Sequence, residues 1–409
     1  MATILAYALL TVMILLIQGF VFLTMQNSNK SERAKLICPK SRSEFEWPSK
    51  VNVKSVSNSS LYDGIAAPRI WDPWPIDRKL PCVPIEEGWW HTRVQRSPTR
   101  RGLLFVKEMK TGSSSVGGVV LRLARQLPKR YGYDFEMCSA RVDHANVARI
   151  MDYKNRIPDE SYLFTFIREP SARLISQFFH FQVSREKKEV SDINIQQYFL
   201  NVSYFQNYYL NDLSLLPYEP GVIPQRNKRE YQERKVAAIL KDYDFIGITE
   251  RMDESLVVLQ LLLHLPTSDI LYVIAKSKGG FDDGAFHQTC TYIIPSYTSP
   301  TMKQWFKTSP QWKNKTYGDS LLYQAACRSL DLTIDALGRD LVEEKLKKFK
   351  LAQTLVQERC SSNLRLPCSP DGVRAKAFDI NYFDTDCLWL DSGCGHACLD
   401  EISDEVNNL

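Results

Sequence analysis

The sequence predicts an α/β fold with a central parallel sheet, because three apolar strands each run through a short polar loop into a helix. Leu103 to Val106 leads through Lys110-Thr111-Gly112-Ser113-Ser114-Ser115 into a helical stretch, Val116 to Leu127. Tyr162 to Ile167 leads through Arg168-Glu169-Pro170 into a second helix carrying Arg173 and Ser176. Asp244 to Glu250 reads as a third strand, and Arg251 onward opens a long apolar helix running to about Leu265. Strands that alternate with helices pair in parallel and bury both faces.

The first loop has the composition of an anion site. A small, hydroxyl-rich turn at a helix start offers backbone N–H groups and the positive end of a dipole. Lys110 adds a point charge, and the serine hydroxyls add donors. In the second loop, Pro170 suits a first helical turn. Arg168 is expected on the loop itself, with Ser176 eight residues on, near the same stripe. Two anion loops after two strands suggest a ligand with phosphates at both ends. Alone, a lysine–serine loop or an Arg-Glu-Pro cap with a solvated arginine says little; the inference rests on the pair. The third unit reads as scaffold, its acidic first turn suited to the helix dipole.

A Walker loop places its lysine after the glycines; here Lys110 precedes Gly112. That order, with R-[DE]-P-x-x-R-x-x-S starting 58 residues after Lys110, resembles the sulfotransferases that use 3′-phosphoadenosine 5′-phosphosulfate. Phe105-Val106-Lys107-Glu108-Met109-Lys110 is similar to the corresponding strand of the Golgi galactose 3-O- and uronyl 2-O-sulfotransferases, which often carry histidine at the position of Met109. The resemblance covers roughly residues 100 to 350 and implies a P-loop-like, three-layer sulfotransferase fold. It assigns the 5′-phosphosulfate to Lys110, Thr111, Gly112, Ser113, Ser114 and Ser115, and the 3′-phosphate to Arg168 and Ser176.

Composition agrees. A chain of 409 residues, 44% hydrophobic, can hold one large core with appendages, since single cores extend to roughly 250–300 residues. The formal net charge of +5 suits a polyanionic cofactor and an acidic sugar chain; it is no nucleic-acid signature. Basic clusters lie at Arg93 to Arg101, Lys228 to Lys235 and Lys345 to Lys350. The last falls in Leu341 to Val356, where charge alternates at helical spacing, and reads as a solvated helix face.

Met1 to Met25 carry no charged side chain, a run long enough to span a bilayer at roughly 1.5 Å per residue. It is too long for a signal-peptide core and lacks a convincing cleavage site before Lys30. Lys30, Arg33, Lys35 and Lys40 follow the span and argue for a cytosolic catalytic domain. Opposing them are ten cysteines, five of which (Cys360, Cys368, Cys387, Cys394, Cys398) lie in the last fifty residues, a density typical of disulfide-stapled lumenal tails. Sequons at Asn29, Asn58, Asn201 and Asn314 add a little. With the resemblance, the cysteines favour a single-pass signal anchor holding the catalytic domain in the Golgi lumen.

The expected organisation is a transmembrane anchor over residues 1–25, a stem over 26–66 and an aromatic and proline segment over 67–100. The catalytic domain follows over 101–350 and a cysteine-rich C-terminal region over 351–409. The tryptophans at 71, 74, 89 and 90 are expected to pack this segment onto the catalytic domain rather than to stack on sugars. Loop residues Ser277 to Ser299 are expected to shape the acceptor cleft, with Lys276, Lys278 and Arg226 as basic residues that attract an acidic chain. Cys394-Gly395-His396-Ala397-Cys398 is compatible with half a zinc site, but disulfides are the expected fate in a lumenal tail.

Sulfuryl transfer needs in-line attack by a glycan hydroxyl, held and stabilised much as in phosphoryl transfer. Lys110 is placed to stabilise charge on the leaving oxygen, and no metal is required. A base must take the acceptor proton, a task suited to histidine. His144, 24 residues before Arg168, is the choice by its resemblance to the catalytic histidine of the uronyl 2-O-sulfotransferases; Arg141 is an alternative occupant of that place. His287 in the acceptor loop comes second, Glu250 is a further alternative, and His180 in its aromatic helix reads as packing. The expected acceptor is a galactose or uronic acid hydroxyl on a glycoprotein, glycolipid or polysaccharide. A same-fold nucleotide kinase or triphosphatase would need a Walker lysine and an acidic magnesium ligand. A catalytically silent glycan- or nucleotide-binding protein is the remaining alternative.

Overall fold

The computed structural model describes residues 68–84, 100–150, 152–202, 206–215, 228–274, 279–282, 290–361, 368–374 and 393–409. The expected anchor and stem lie outside these residues, as do Trp89, Trp90, His287, Cys38, Cys387, Arg226, Lys276 and Lys278. Among the described residues, no helix is long and apolar enough to cross a membrane.

Four strands form one sheet: β1 (Gly102–Val106), β2 (Ala140–Asp143), β3 (Ser161–Ile167) and β4 (Phe245–Ile248), in the order β2-β1-β3-β4 and parallel throughout. β1, β3 and β4 are buried at every position. Their unbroken apolar runs match a sheet covered on both faces. Val106 stands opposite Asp143 on one side and Thr165 on the other, which brings the carboxyl ends of β1, β2 and β3 to one edge.

The helices follow in chain order. α1 (Ser113–Tyr131) starts directly at the first loop and ends at Gly132, whose φ of 68° closes the helix in the left-handed conformation. α2 (Ala145–Ile150) follows β2, and α3 (Pro170–Phe178) follows β3 with its proline in the first turn. A π-helical stretch, Phe179–Arg185, extends α3. Then come α4 (Asp192–Asn201), α5 (Tyr208–Asp212), α6 (Arg229–Asp242) and, after β4, α7 (Met252–Leu262).

The third unit is shorter than the sequence suggests at both ends. Thr249–Arg251 forms a 3₁₀ turn instead of continuing the strand. α7 stops at Leu262, since His264 takes a left-handed φ of 53° and Leu265 folds back to the Gln260 carbonyl oxygen at 2.9 Å. Beyond it, part of the expected acceptor loop forms an antiparallel pair, β5 (Gly280–Asp282) and β6 (Thr291–Ile293). The chain continues through α8 (Pro300–Thr308), α9 (Pro310–Lys315), α10 (Tyr317–Leu337), α11 (Arg339–Cys360), α12 (His396–Glu401) and α13 (Ser403–Asn407).

Trp71 and Trp74 are buried and meet the sheet edge-to-face, Trp71 on Phe245 at 6.2 Å and Trp74 on Tyr162 at 6.3 Å. Both rings are packed on the sheet. α11 buries Val342, Phe349, Ala352 and Val356 and turns its charges outward, with Lys347 pairing Glu343 one turn away. It runs through residue 350, so the cysteine-rich region begins within a helix.

Disulfides join Cys82 to Cys138, Cys290 to Cys368 and Cys360 to Cys398, and Cys327 is also disulfide-bonded. The Cys360 bridge takes Cys398 out of the zinc set that the tail spacing allows. The tail packs on α1. Arg122, 2% exposed, holds Asp400, Ser403 and the carbonyl oxygens of Ser268 and Leu399. Gly393 lies so close to α1 that a Cβ there would sit 2.3 Å from the Gly118 Cα.

Candidate functional site

β1 connects to β2 on one side, while β3 connects to β4 on the other. The crevice between the carboxyl ends of β1 and β3 is therefore the switch point at which open α/β sheets bind ligands. The two anion loops flank it.

In the first loop the backbone turns sharply. Lys110 has φ 65° and Gly112 φ 72°, both left-handed. Only glycine fits the second position without cost, and a Cβ there would also press to 2.5 Å from the Met252 Cε. α1 then starts with no side-chain cap on its N-terminus. Its first N–H groups and dipole are aimed along the loop. The hydroxyls divide their roles. Thr111 and Ser113 are buried and donate to the Glu108 carbonyl oxygen at 3.0 and 2.6 Å, so they shape the loop from within. Ser114 and Ser115 are half-buried, and Gly112 is exposed. The Ser113 hydroxyl proton is thus engaged by the backbone.

The second loop is braced on three sides. Arg168 donates its backbone N–H to the Tyr209 hydroxyl at 2.9 Å, and that hydroxyl donates back to the Arg168 carbonyl oxygen at 2.8 Å. Its guanidinium Nη1 donates to the Lys110 carbonyl oxygen at 3.4 Å, and its Nε lies 3.7 Å from a Glu250 carboxylate oxygen. Glu169 caps α3 by accepting from the Ala172 N–H at 2.7 Å. Ser176 lies half-buried on α3, farther along from the turn.

Thr249, just past β4, ties the loops together. Its hydroxyl lies 2.7 Å from the Thr111 carbonyl oxygen and 3.0 Å from that of Ile167, one proton shared between two acceptors. Glu250 accepts from the Glu169 N–H at 3.1 Å and from the Tyr323 hydroxyl at 3.1 Å. Burial raises its pKa, against the pull of Arg168. Occupied in this way, Glu250 is a brace for Arg168.

Beneath the loops is a buried polar cluster. Arg173 is 1% exposed, stacks 3.7 Å over the Tyr208 ring and donates to Gln177 at 2.8 Å. Glu108 is 1% exposed, and burial, then Asp212, push its pKa well up. Asp319 accepts from the Leu210 N–H at 3.3 Å, and burial lifts its pKa to about 7 against the opposing charge of Arg173. This cluster seats α5, which carries Tyr209.

His144 is exposed at the end of β2, and its Nδ1 lies 2.9 Å from the Lys107 carbonyl oxygen. A carbonyl oxygen only accepts, so Nδ1 carries the proton and Nε2 is the basic nitrogen. Arg141 is ion-paired with Asp143 at 2.6 Å. His180 packs edge-on to Phe181 at 4.7 Å, as expected.

The structure therefore brings together the loop of Lys110 to Ser115, Arg168 and His144 along one sheet edge. Tyr209, Thr249, Glu250 and Asp319 went unread as supports. Thr249 had a signal, a hydroxyl just after a parallel strand; Tyr209 had none, since its partner lies 41 residues away.

The fold is a parallel α/β sheet with two loops flanking the crevice at its switch point. The family model for galactose-3-O-sulfotransferase matches residues 2–376, nearly the whole chain, and the chain belongs to that family. Comparison with curated proteins finds no match.

Proposed function

We propose that the chain transfers a sulfuryl group from 3′-phosphoadenosine 5′-phosphosulfate to a galactose hydroxyl on a glycan, the 3-hydroxyl being the one its family name specifies. The observation that carries this reading is the contact of the Lys110 and Arg168 loops across the β1/β3 switch point. A ligand with anionic groups at both ends suits two such loops in one crevice.

The donor supplies the sulfuryl group and the leaving phosphate. The uncapped start of α1 and Lys110 are suited to the charge that grows on the leaving oxygen. Arg168, with its backbone pinned by Tyr209, is suited to the 3′-phosphate; Ser176 joins it by motif. His144 takes the acceptor proton on Nε2 as the oxygen attacks sulfur. Lysine, N–H groups and arginine supply the positive field, so no step of this reading uses a metal. The disulfides fit an oxidising compartment. They support a lumenal catalytic domain; the anchor at residues 1–25, the stem at 26–66 and the aromatic segment at 67–100 rest on the sequence.

Transfer of radiolabelled sulfate to an array of glycans and glycolipids tests the proposal. Labelled galactose-terminated acceptors are expected. Label on phenols or tyrosine peptides alone would overturn the acceptor, and nucleotide binding without any transfer would indicate a silent binding protein.

A further inference from the structure

Thr249 stands directly after Ile248, whose place opposite Ile167 is set by the parallel pairing of β4 with β3. The sheet thereby delivers its half-buried hydroxyl to the point where the two anion loops meet. The two acceptors of that hydroxyl are the peptide groups on which the loops turn. The Thr111 carbonyl oxygen, at 2.7 Å, belongs to the peptide that Thr111 shares with Gly112. The Ile167 carbonyl oxygen, at 3.0 Å, belongs to the peptide that Ile167 shares with Arg168.

A trans peptide is planar and points its C=O and N–H in opposite directions. Among the described residues no peptide bond is cis. Holding each oxygen therefore also aims the N–H on its other side. For Arg168 that N–H meets the Tyr209 hydroxyl at 2.9 Å, so this peptide is gripped at both edges. The N–H of Gly112 is turned away from Thr249, in the left-handed turn that opens α1.

The turn that carries Thr249 is itself fixed. The buried Ser255 hydroxyl accepts from the Ile248 N–H at 2.9 Å, and Glu250 accepts from the Glu169 N–H at 3.1 Å. The direct link between the loops, from the Arg168 guanidinium to the Lys110 carbonyl oxygen, is longer at 3.4 Å. It also hangs on a flexible side chain that an arriving anion can draw away. The Thr249 bridge is shorter and joins backbone to backbone.

We infer that Thr249 is a positioning residue: it sets the span between the two anion loops and so selects a nucleotide phosphorylated at both ends over one phosphorylated at either end alone. The inference rests on the proposed reading of the loops as the donor site. A doubly phosphorylated ligand gains from its second contact only when the span of the loops matches its own, because that contact is then made within one complex. A monophosphate engages one loop and is indifferent to the span.

Calorimetry on the full chain tests this with 3′-phosphoadenosine 5′-phosphate, adenosine 5′-phosphate and adenosine 3′-phosphate. Thr249→Val keeps a branched side chain but removes the proton shared by the two oxygens. It is expected to weaken the bisphosphate by about tenfold, while each monophosphate binds nearly as it does to wild type. Thr249→Ser keeps the hydroxyl and should restore the preference for the bisphosphate. Thr249→Ala carries the same expectation as the valine variant and replaces it if valine does not fold. Weakening of all three ligands by one common factor, or of none, overturns the inference and leaves the donor reading in place. Failure of wild type to bind any of the three would overturn the donor reading, and the inference with it.

Discussion

The Arg168 guanidinium reaches the Lys110 carbonyl oxygen at 3.4 Å, joining two loops that are 58 residues apart in sequence. The charged head of Arg168 is thereby turned into the crevice between β1 and β3, with Glu250 3.7 Å behind it. At that distance the carboxylate steers the arginine without clamping it. The arginine keeps donors for an arriving anion.

Replacing each cation should separate binding from turnover. Arg168→Ala is expected to weaken 3′-phosphoadenosine 5′-phosphate by about 1.5–3 kcal/mol in calorimetry, the range for hydrogen bonds to charged groups. Lys110→Ala should lower kcat more than it lowers affinity, because charge on the leaving oxygen grows only in the transition state. Unchanged nucleotide affinity in a folded Arg168→Ala would remove Arg168 from the site.

Tyr209→Phe tests the pin behind Arg168. The ring stays, but the Arg168 N–H and carbonyl oxygen each lose a partner, and orphaned buried groups cost roughly 1–3 kcal/mol. The ratio of affinities for 3′-phosphoadenosine 5′-phosphate and adenosine 5′-phosphate should fall, since only the first carries the phosphate proposed for Arg168. An equal loss for both nucleotides would make Tyr209 a general stability residue.

Local chemistry was legible in the sequence, and tertiary support was not. Strands β1 and β3, the start of α3 at Pro170 and the loop position of Arg168 follow from apolar runs and turn chemistry within a few residues. The early end of β4 could not be read, because Thr249 leaves the strand to serve carbonyls on two other segments. Likewise, Ser113 and Ser114 look alike in sequence. Only the left-handed turn at Lys110 and Gly112 decides that the first hydroxyl faces inward.

The acidic cluster predicts a pH dependence of stability. Asp319 has its pKa raised to about 7 in the folded chain from an ordinary 3.8, by burial. The folded state thus binds more protons than the unfolded state between those values. This contribution is complete below the unfolded pKa and is lost as pH rises through about 7. Glu108 and Asp212 face the same cluster, and Arg173 is the cation among them. Asp319→Asn keeps an acceptor for the Leu210 N–H but removes the titration. Denaturant melts at pH 5.5 and pH 8 should show wild type losing stability with rising pH and the variant losing less, a difference of about 1 kcal/mol or more. Equal slopes would remove Asp319 as the source.

His144 carries the last prediction. Its Nδ1 proton is committed to the Lys107 carbonyl oxygen at 2.9 Å, so the ring is held in the tautomer whose Nε2 accepts. Lys107 lies on the segment joining β1 to Lys110, so the same segment orients the proposed base and carries the proposed leaving-group cation. A base matters only once an acceptor hydroxyl is present, so His144→Ala should leave nucleotide affinity intact. Transfer should fall by about 10²–10⁴-fold, the usual contribution of general acid–base catalysis. His144→Asn can still donate to the Lys107 carbonyl oxygen but offers no basic nitrogen. It should be as inactive as His144→Ala if His144 is the base. Recovery of transfer in His144→Asn would instead show that the bond to Lys107 is what matters and that the base lies elsewhere.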